Sequence, residues 1–199
     1  MGNILDKIAL SETRDMTNRL LKEYYIQDDE YKEHWKSIQK KVFNDNPFPK
    51  NVFNKNFQLY ALTSASVLSE EEYNILRQCL KLYDNLSQYI LIVEDTKEKY
   101  PIRLKIPLEC EWKDFCPSEL NEGLSIKVFH FTQGNYYVFS DSGNWGKYVE
   151  TDNYDIDIYG FLFPEMKIAF QNMYYDTSEN KLRVKESLYK TEYFNCVGL

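Results

Sequence analysis

Residues 139–164 read FSDSGNWGKYVETDNYDIDIYGFLFP. Asp141, Ser142, Gly143 and Asn144 are all turn formers, and Trp145 to Thr151 then re-enters a strand. After the short polar break at Asp152 and Asn153, Tyr154 to Phe161 alternates, with Ile156 and Ile158 on one side and Asp155, Asp157 and Tyr159 on the other. Successive side chains of a strand point to opposite faces, so this spacing predicts two strands joined by a tight turn. Upstream, Ser125 to Phe131 and Asn135 to Ser140 form a further hairpin around Gln133 and Gly134. Downstream, Pro164 suits a first helical turn, and Met166, Ala169, Phe170 and Met173 follow at helical spacing. Consecutive strands with short turns make an antiparallel meander.

The same reading extends outward. Tyr89 to Val93 is a continuous apolar run, and Tyr100, Ile102, Leu104 and Ile106 alternate with Arg103 and Lys105 across a charged turn. The first is expected to be central, the second half-exposed. Ser69 followed by Glu70, Glu71 and Glu72 is a capping box, and the helix it opens has the stripe Leu76, Cys79, Leu80, Tyr83 and Leu86. Phe57 to Leu62 reads as a short strand. Two amphipathic helices are expected at Ile4 to Tyr25 and around Tyr31, Trp35, Ile38 and Val42. The Asn- and Pro-rich segment 44–56 connects them to the rest. The fold class is therefore α+β: an antiparallel sheet of about five to seven strands with N-terminal helices and one C-terminal helix. The chain reads as one domain, 1–199, whose alternative division is a helical lobe at 1–44 and a sheet-rich part at 57–199.

Composition narrows the function classes. In 199 residues, 43% hydrophobic and 16% aromatic side chains supply a core and exclude general disorder. Twenty-four basic against 31 acidic groups leave a charge of −7, which repels a nucleic-acid backbone. Between Glu109 and Glu179, 13 acidic side chains face only Lys113, Lys127, Lys147 and Lys167. No run approaches the ~18 apolar residues of a membrane span, and the N-terminus lacks a secretory leader, so a cytoplasmic chain with no membrane partner is expected. Cys79, Cys110, Cys116 and Cys196 have neither zinc-finger nor disulfide-scaffold spacing, and reduced thiols follow.

Few arrangements suit catalysis. An EF-hand begun at Asp155 and Asp157 places Gly160 correctly but puts Met166 where a carboxylate is required, so no metal is expected. Seven glycines, none in a phosphate-cradling pattern, exclude nucleotide chemistry, and no cofactor is expected. The segment Ser140 to Asn144 lacks the GxSxG pattern of a serine nucleophile and reads as a turn. His34 and His130 are the only histidines; a thiol–imidazole pair of Cys110 or Cys116 with His130, near Trp112, is the basis of an alternative reading as a small hydrolase or ligand-binding enzyme.

The serine–glycine turn, Trp145-Gly146, the Tyr148-Val149 strand and the acidic strand ending at Tyr159-Gly160-Phe161 resemble the C-terminal part of bacterial immunity proteins that accompany polymorphic or contact-delivered toxins. The resemblance spans about residues 139–163. It implies a non-enzymatic, cytoplasmic α+β protein that binds and neutralises one cognate toxin domain. On the residues alone, an acidic and aromatic sheet surface suits a basic protein partner, such as a nuclease domain, with carboxylates steering and rings anchoring. The partner-binding residues expected on that surface are Trp145, Tyr148, Glu150, Asp152, Asp155, Asp157 and Tyr159. An adaptor or structural subunit is the remaining alternative.

Overall fold

A computed structural model describes residues 22–44, 52–54, 56–63, 67–96, 101–115, 135–150 and 156–175. The fold is α+β, built on a six-stranded sheet in the order β1-β6-β5-β4-β2-β3. The strands are β1 (Gln58–Thr63), β2 (Tyr89–Glu94), β3 (Arg103–Pro107), β4 (Asn135–Ser140), β5 (Trp145–Glu150) and β6 (Ile156–Phe161). Every pairing is antiparallel. β2 and β3 form the expected hairpin, and β4, β5 and β6 form the expected meander. The expected strand at 125–131 and the first helix up to residue 21 lie outside the described residues.

Five α-helices, a 3-10 turn (Lys22–Tyr24) and a π-helical turn flank the sheet among the described residues. α1 (Asp28–Glu30), the π-helical turn (Tyr31–Trp35) and α2 (Lys36–Val42) run on from one another. α3 spans Glu70–Tyr83, α4 Trp112–Phe115 and α5 Pro164–Tyr175. Ser69 caps α3 as its sequence implies: the Glu72 N–H donates to Ser69 Oγ at 3.1 Å. Three acidic residues in that first turn complement the positive end of the helix dipole.

Both faces of the sheet are covered. On one, Ile90, Ile92, Leu104, Val138, Trp145, Val149, Tyr159 and Phe161 pack against Leu76, Cys79 and Leu80 of α3 and Met166, Phe170 and Tyr174 of α5. On the other, Leu91, Val93, Tyr137, Phe139, Tyr148 and Ile158 pack against Ile26, Val42, Phe43, Val52 and Phe53. The central strands are thus buried on both sides, while β3 at the edge alternates buried and half-exposed positions. The stripe expected on α3 holds through Leu80 and then fails. Tyr83 and Leu86 are exposed, because the helix ends at Tyr83 and the buried Asp84 turns the chain toward β2.

One close approach fixes how the second layer sits. Gly146 and Gly160 are cross-strand partners, and the Phe53 ring lies over them. A Cβ on Gly160 would fall 2.4 Å from Phe53 Cδ1, and one on Gly146 2.7 Å from Val42. Phe53 is held there by an isolated bridge to Phe43, with the Asn54 N–H donating to the Val42 carbonyl. Overpacking such a contact costs about 1–3 kcal/mol. Gly160→Ala is therefore expected to lower unfolding free energy by about 2 kcal/mol in a urea titration. Adding Phe53→Leu should recover part of that loss, since the obstructing atoms belong to that ring.

Candidate functional site

The centre of the acidic, aromatic stretch is internal. Lys147 on β5 and Asp157 and Tyr159 on β6 point to the same face, beneath the first turn of α3. The side chains of Lys147 and Asp157 are 0% exposed and that of Glu72 is 1% exposed. Lys147 Nζ lies 2.9 Å from Glu72 Oε1 and 3.0 Å from Asp157 Oδ2, and donates to the Val67 carbonyl at 3.0 Å. The Tyr159 hydroxyl donates to Glu72 Oε1 at 3.0 Å. Two carboxylates thus surround one ammonium where water is excluded. A charge is buried tolerably only when paired and hydrogen-bonded, which this arrangement provides.

The partner surface expected from the sequence is corrected here. Trp145, Tyr148, Asp157 and Tyr159 are all buried. Tyr148 does not even share a face with Asp157 and Tyr159: it pairs with Ile158 across the β5–β6 ladder and packs with Tyr137 in the opposite layer. Glu150 is the last residue of β5. Asp152 and Asp155 lie outside the described residues. The alternation of Asp157 and Tyr159 against Ile158 is as expected, but it separates two interior layers rather than core from solvent. Glu72 was not anticipated. Its signal was phase: within the triple glutamate, residue 72 alone lies on the stripe of Leu76, Cys79 and Leu80, while Glu70 is exposed.

A second polar cluster ties α3 to the turn between β4 and β5. Asp84 accepts from Ser87 Oγ at 2.6 Å, from Ser142 Oγ, and from Asn144 Nδ2 at 3.1 Å. Asp141 Oδ1 accepts from the backbone N–H groups of Gln88 and Tyr89. Gly143 takes φ +71°, a region open to glycine at little steric cost. The segment Ser140 to Asn144 is thus the turn its composition suggests, with Ser142 committed to Asp84.

The two described thiols are held toward their protonated form. Burial pushes the Cys79 thiol up from 9.0 to about 11. Burial also raises Cys110, with the Tyr24 hydroxyl acting the other way. A raised pKa lowers the thiolate population that nucleophilic chemistry needs. Cys116 and His130 lie outside the described residues, and His34 is exposed. Among the described residues no group of three or more His, Cys, Asp or Glu side chains converges as a metal site, and no helix is long and apolar enough to cross a membrane. No family model, no curated protein and no solved structure matches this chain.

Two outcomes follow from these environments. Lys147→Met leaves Glu72 and Asp157 buried without their counter-charge, so it should cost about 3–5 kcal/mol in chemical denaturation. Replacing all three by apolar side chains of similar volume should restore most of that. The Cys79 contribution is full below pH 9, where both folded and unfolded thiols are protonated. It is lost as pH rises toward about 11, because the unfolded chain ionises first. Cys79→Ala should flatten the stability-versus-pH curve across that window.

Proposed function

We propose that this protein is a non-enzymatic binding module that neutralises a cognate basic toxin domain in a bacterial cell. The observation that carries the reading is a run of exposed apolar side chains where α3 ends: Leu82 is 68% exposed, Tyr83 40% and Leu86 72%. Three large apolar groups within five residues form a local cluster of the kind that marks protein contacts, whereas single exposed leucines are ordinary. Tyrosine adds a ring and a hydroxyl suited to an interface. A net charge of −7 supplies long-range attraction for a cationic partner.

The contact surface is assigned to this corner rather than to the buried β5–β6 residues. Asp84 and the Ser140–Asn144 turn brace it from behind, so it is presented on a held backbone. Pre-ordering of that kind lowers the entropy cost of binding.

The test is affinity capture from the native lysate at low and moderate salt, followed by expression of the captured chain with and without this protein. Support is one basic chain, retained in stoichiometric amount and weakened by salt, whose expression alone arrests growth and whose co-expression does not. Leu82→Glu combined with Leu86→Glu should weaken the complex at least about tenfold, roughly 1.4 kcal/mol, with unchanged thermal unfolding. A retained partner without toxicity would instead favour an adaptor or structural role. Unaltered affinity in the double variant would move the interface elsewhere.

A further inference from the structure

We propose that Lys147 and Asp157 form an intramolecular amide bond, promoted by Glu72, so that the mature protein carries a covalent tie between β5 and β6. The geometry is that of a dry, pre-aligned condensation site. Lys147 faces Tyr159 and Val149 faces Asp157 in the β5–β6 ladder, which makes Lys147 and Asp157 diagonal neighbours on one face. Diagonal pairs are within reach of a long side chain. Lys147 Nζ already lies 3.0 Å from Asp157 Oδ2, one bond from the carbon it would attack. Reacting atoms held about 3–3.5 Å apart gain the large rate advantage of intramolecularity.

The hydrogen-bond pattern orients the amine. Two of its three acceptor directions are the Val67 carbonyl and the Glu72 carboxylate, and the third is Asp157. Transfer of the proton directed at Asp157 leaves the nitrogen lone pair aimed at that carboxyl group and converts it to the more electrophilic acid. The Nζ–Cγ bond then forms, Glu72 takes a second proton from nitrogen, and it returns that proton to the departing hydroxyl. One C–O bond of Asp157 breaks, and water leaves. Ammonium and carboxylate become a neutral amide and water, Glu72 ends as it began, and no oxidant or other reactant is consumed. Glu72 is suited to this shuttle because both of its oxygens approach Nζ while the Tyr159 hydroxyl holds Oε1. Tyr159 is a positioning residue. Trp145, Val149 and Phe161 are buried on the same face, in surroundings that exclude bulk water and oppose hydrolysis.

The bond has a mass and a protease signature. The purified chain should be lighter than its sequence by one water. Trypsin spares an acylated lysine, and residues 128–146 and 148–166 contain no other cleavage site, so residues 128–167 should emerge as one looped peptide, also lighter by one water. Lys147→Arg and Glu72→Gln should each restore the full mass. The wild-type digest stands on its own if either variant fails to fold. Full intact mass with normal cleavage after Lys147 would show an ammonium–carboxylate pair only and overturn the proposal. A water loss that persists in Lys147→Arg would be a backbone succinimide at an aspartate and would overturn it equally.

Discussion

The fold turns on how one buried cation is satisfied. Lys147 stands on an interior strand with no route to water, so as the chain folds, ahead of any amide bond to Asp157, its ammonium needs acceptors from within the protein. Asp157 comes from the neighbouring strand, Glu72 from the first turn of α3 and a carbonyl from Val67, just before that helix. Apolar packing alone tolerates small slides of a helix across a sheet. A buried charge does not, because displacement by a few ångströms would strand it unpaired at several kcal/mol. The ion cluster therefore positions α3 along β5 and β6, and the apolar contacts of Leu76, Cys79 and Leu80 fill in around that registration.

The opposite layer is held by shape. Gly146 and Gly160 face each other across adjacent strands, and the missing side chains leave the space that Phe53 occupies. Around that ring, Phe43 contacts both Tyr137 and Phe139, extending the aromatic packing to β4. At the sheet edge, Arg103 lies 4.2 Å from the Tyr31 ring centroid and pairs with Asp28, while Lys105 pairs with Glu30 and approaches Trp35. Arg103 and Lys105 share a strand face, and Tyr31 and Trp35 stand one helical turn apart. The two repeats match, so the helical segment lies along β3. These edge pairs are partly solvated and contribute little individually, but they cover a strand that would otherwise offer unpaired backbone groups.

Most of the architecture was legible because it rests on local periodicity. The change from helical to two-residue spacing after Ser87 locates β2 and β3, the turn residues 141–144 locate β4 and β5, and Ser69 with its glutamates starts α3. Strand order was not legible, since β4 lies beside β2 through a long connection that no local signal encodes. The site was misread for a related reason. A strand carrying Asp157 and Tyr159 looks the same whether its polar face meets water or a complementary charge; here Asp157 meets Lys147 of the next strand, and Tyr159 meets Glu72, 87 positions away. Only the phase of Glu72 with the buried stripe, and of Lys147 with Trp145 and Val149, carries the information. Those are the positions where a charge falls in register with core.

That relocation changes what the net charge means for recognition. Glu72, Lys147 and Asp157 together account for only one of the chain's seven net negative charges, so burying them leaves its long-range field largely intact. What burial removes is the local pairing of carboxylate and ring that the β6 sequence suggested. In the proposed reading, steering and anchoring then belong to different places: the field is a property of the whole chain, while the anchors are Leu82, Tyr83 and Leu86, three of the four large apolar side chains exposed among the described residues. On that reading a cationic partner is drawn in by the overall field and retained at that corner. Loss of charge should therefore show mainly in association rate, and loss of the apolar corner mainly in residence time.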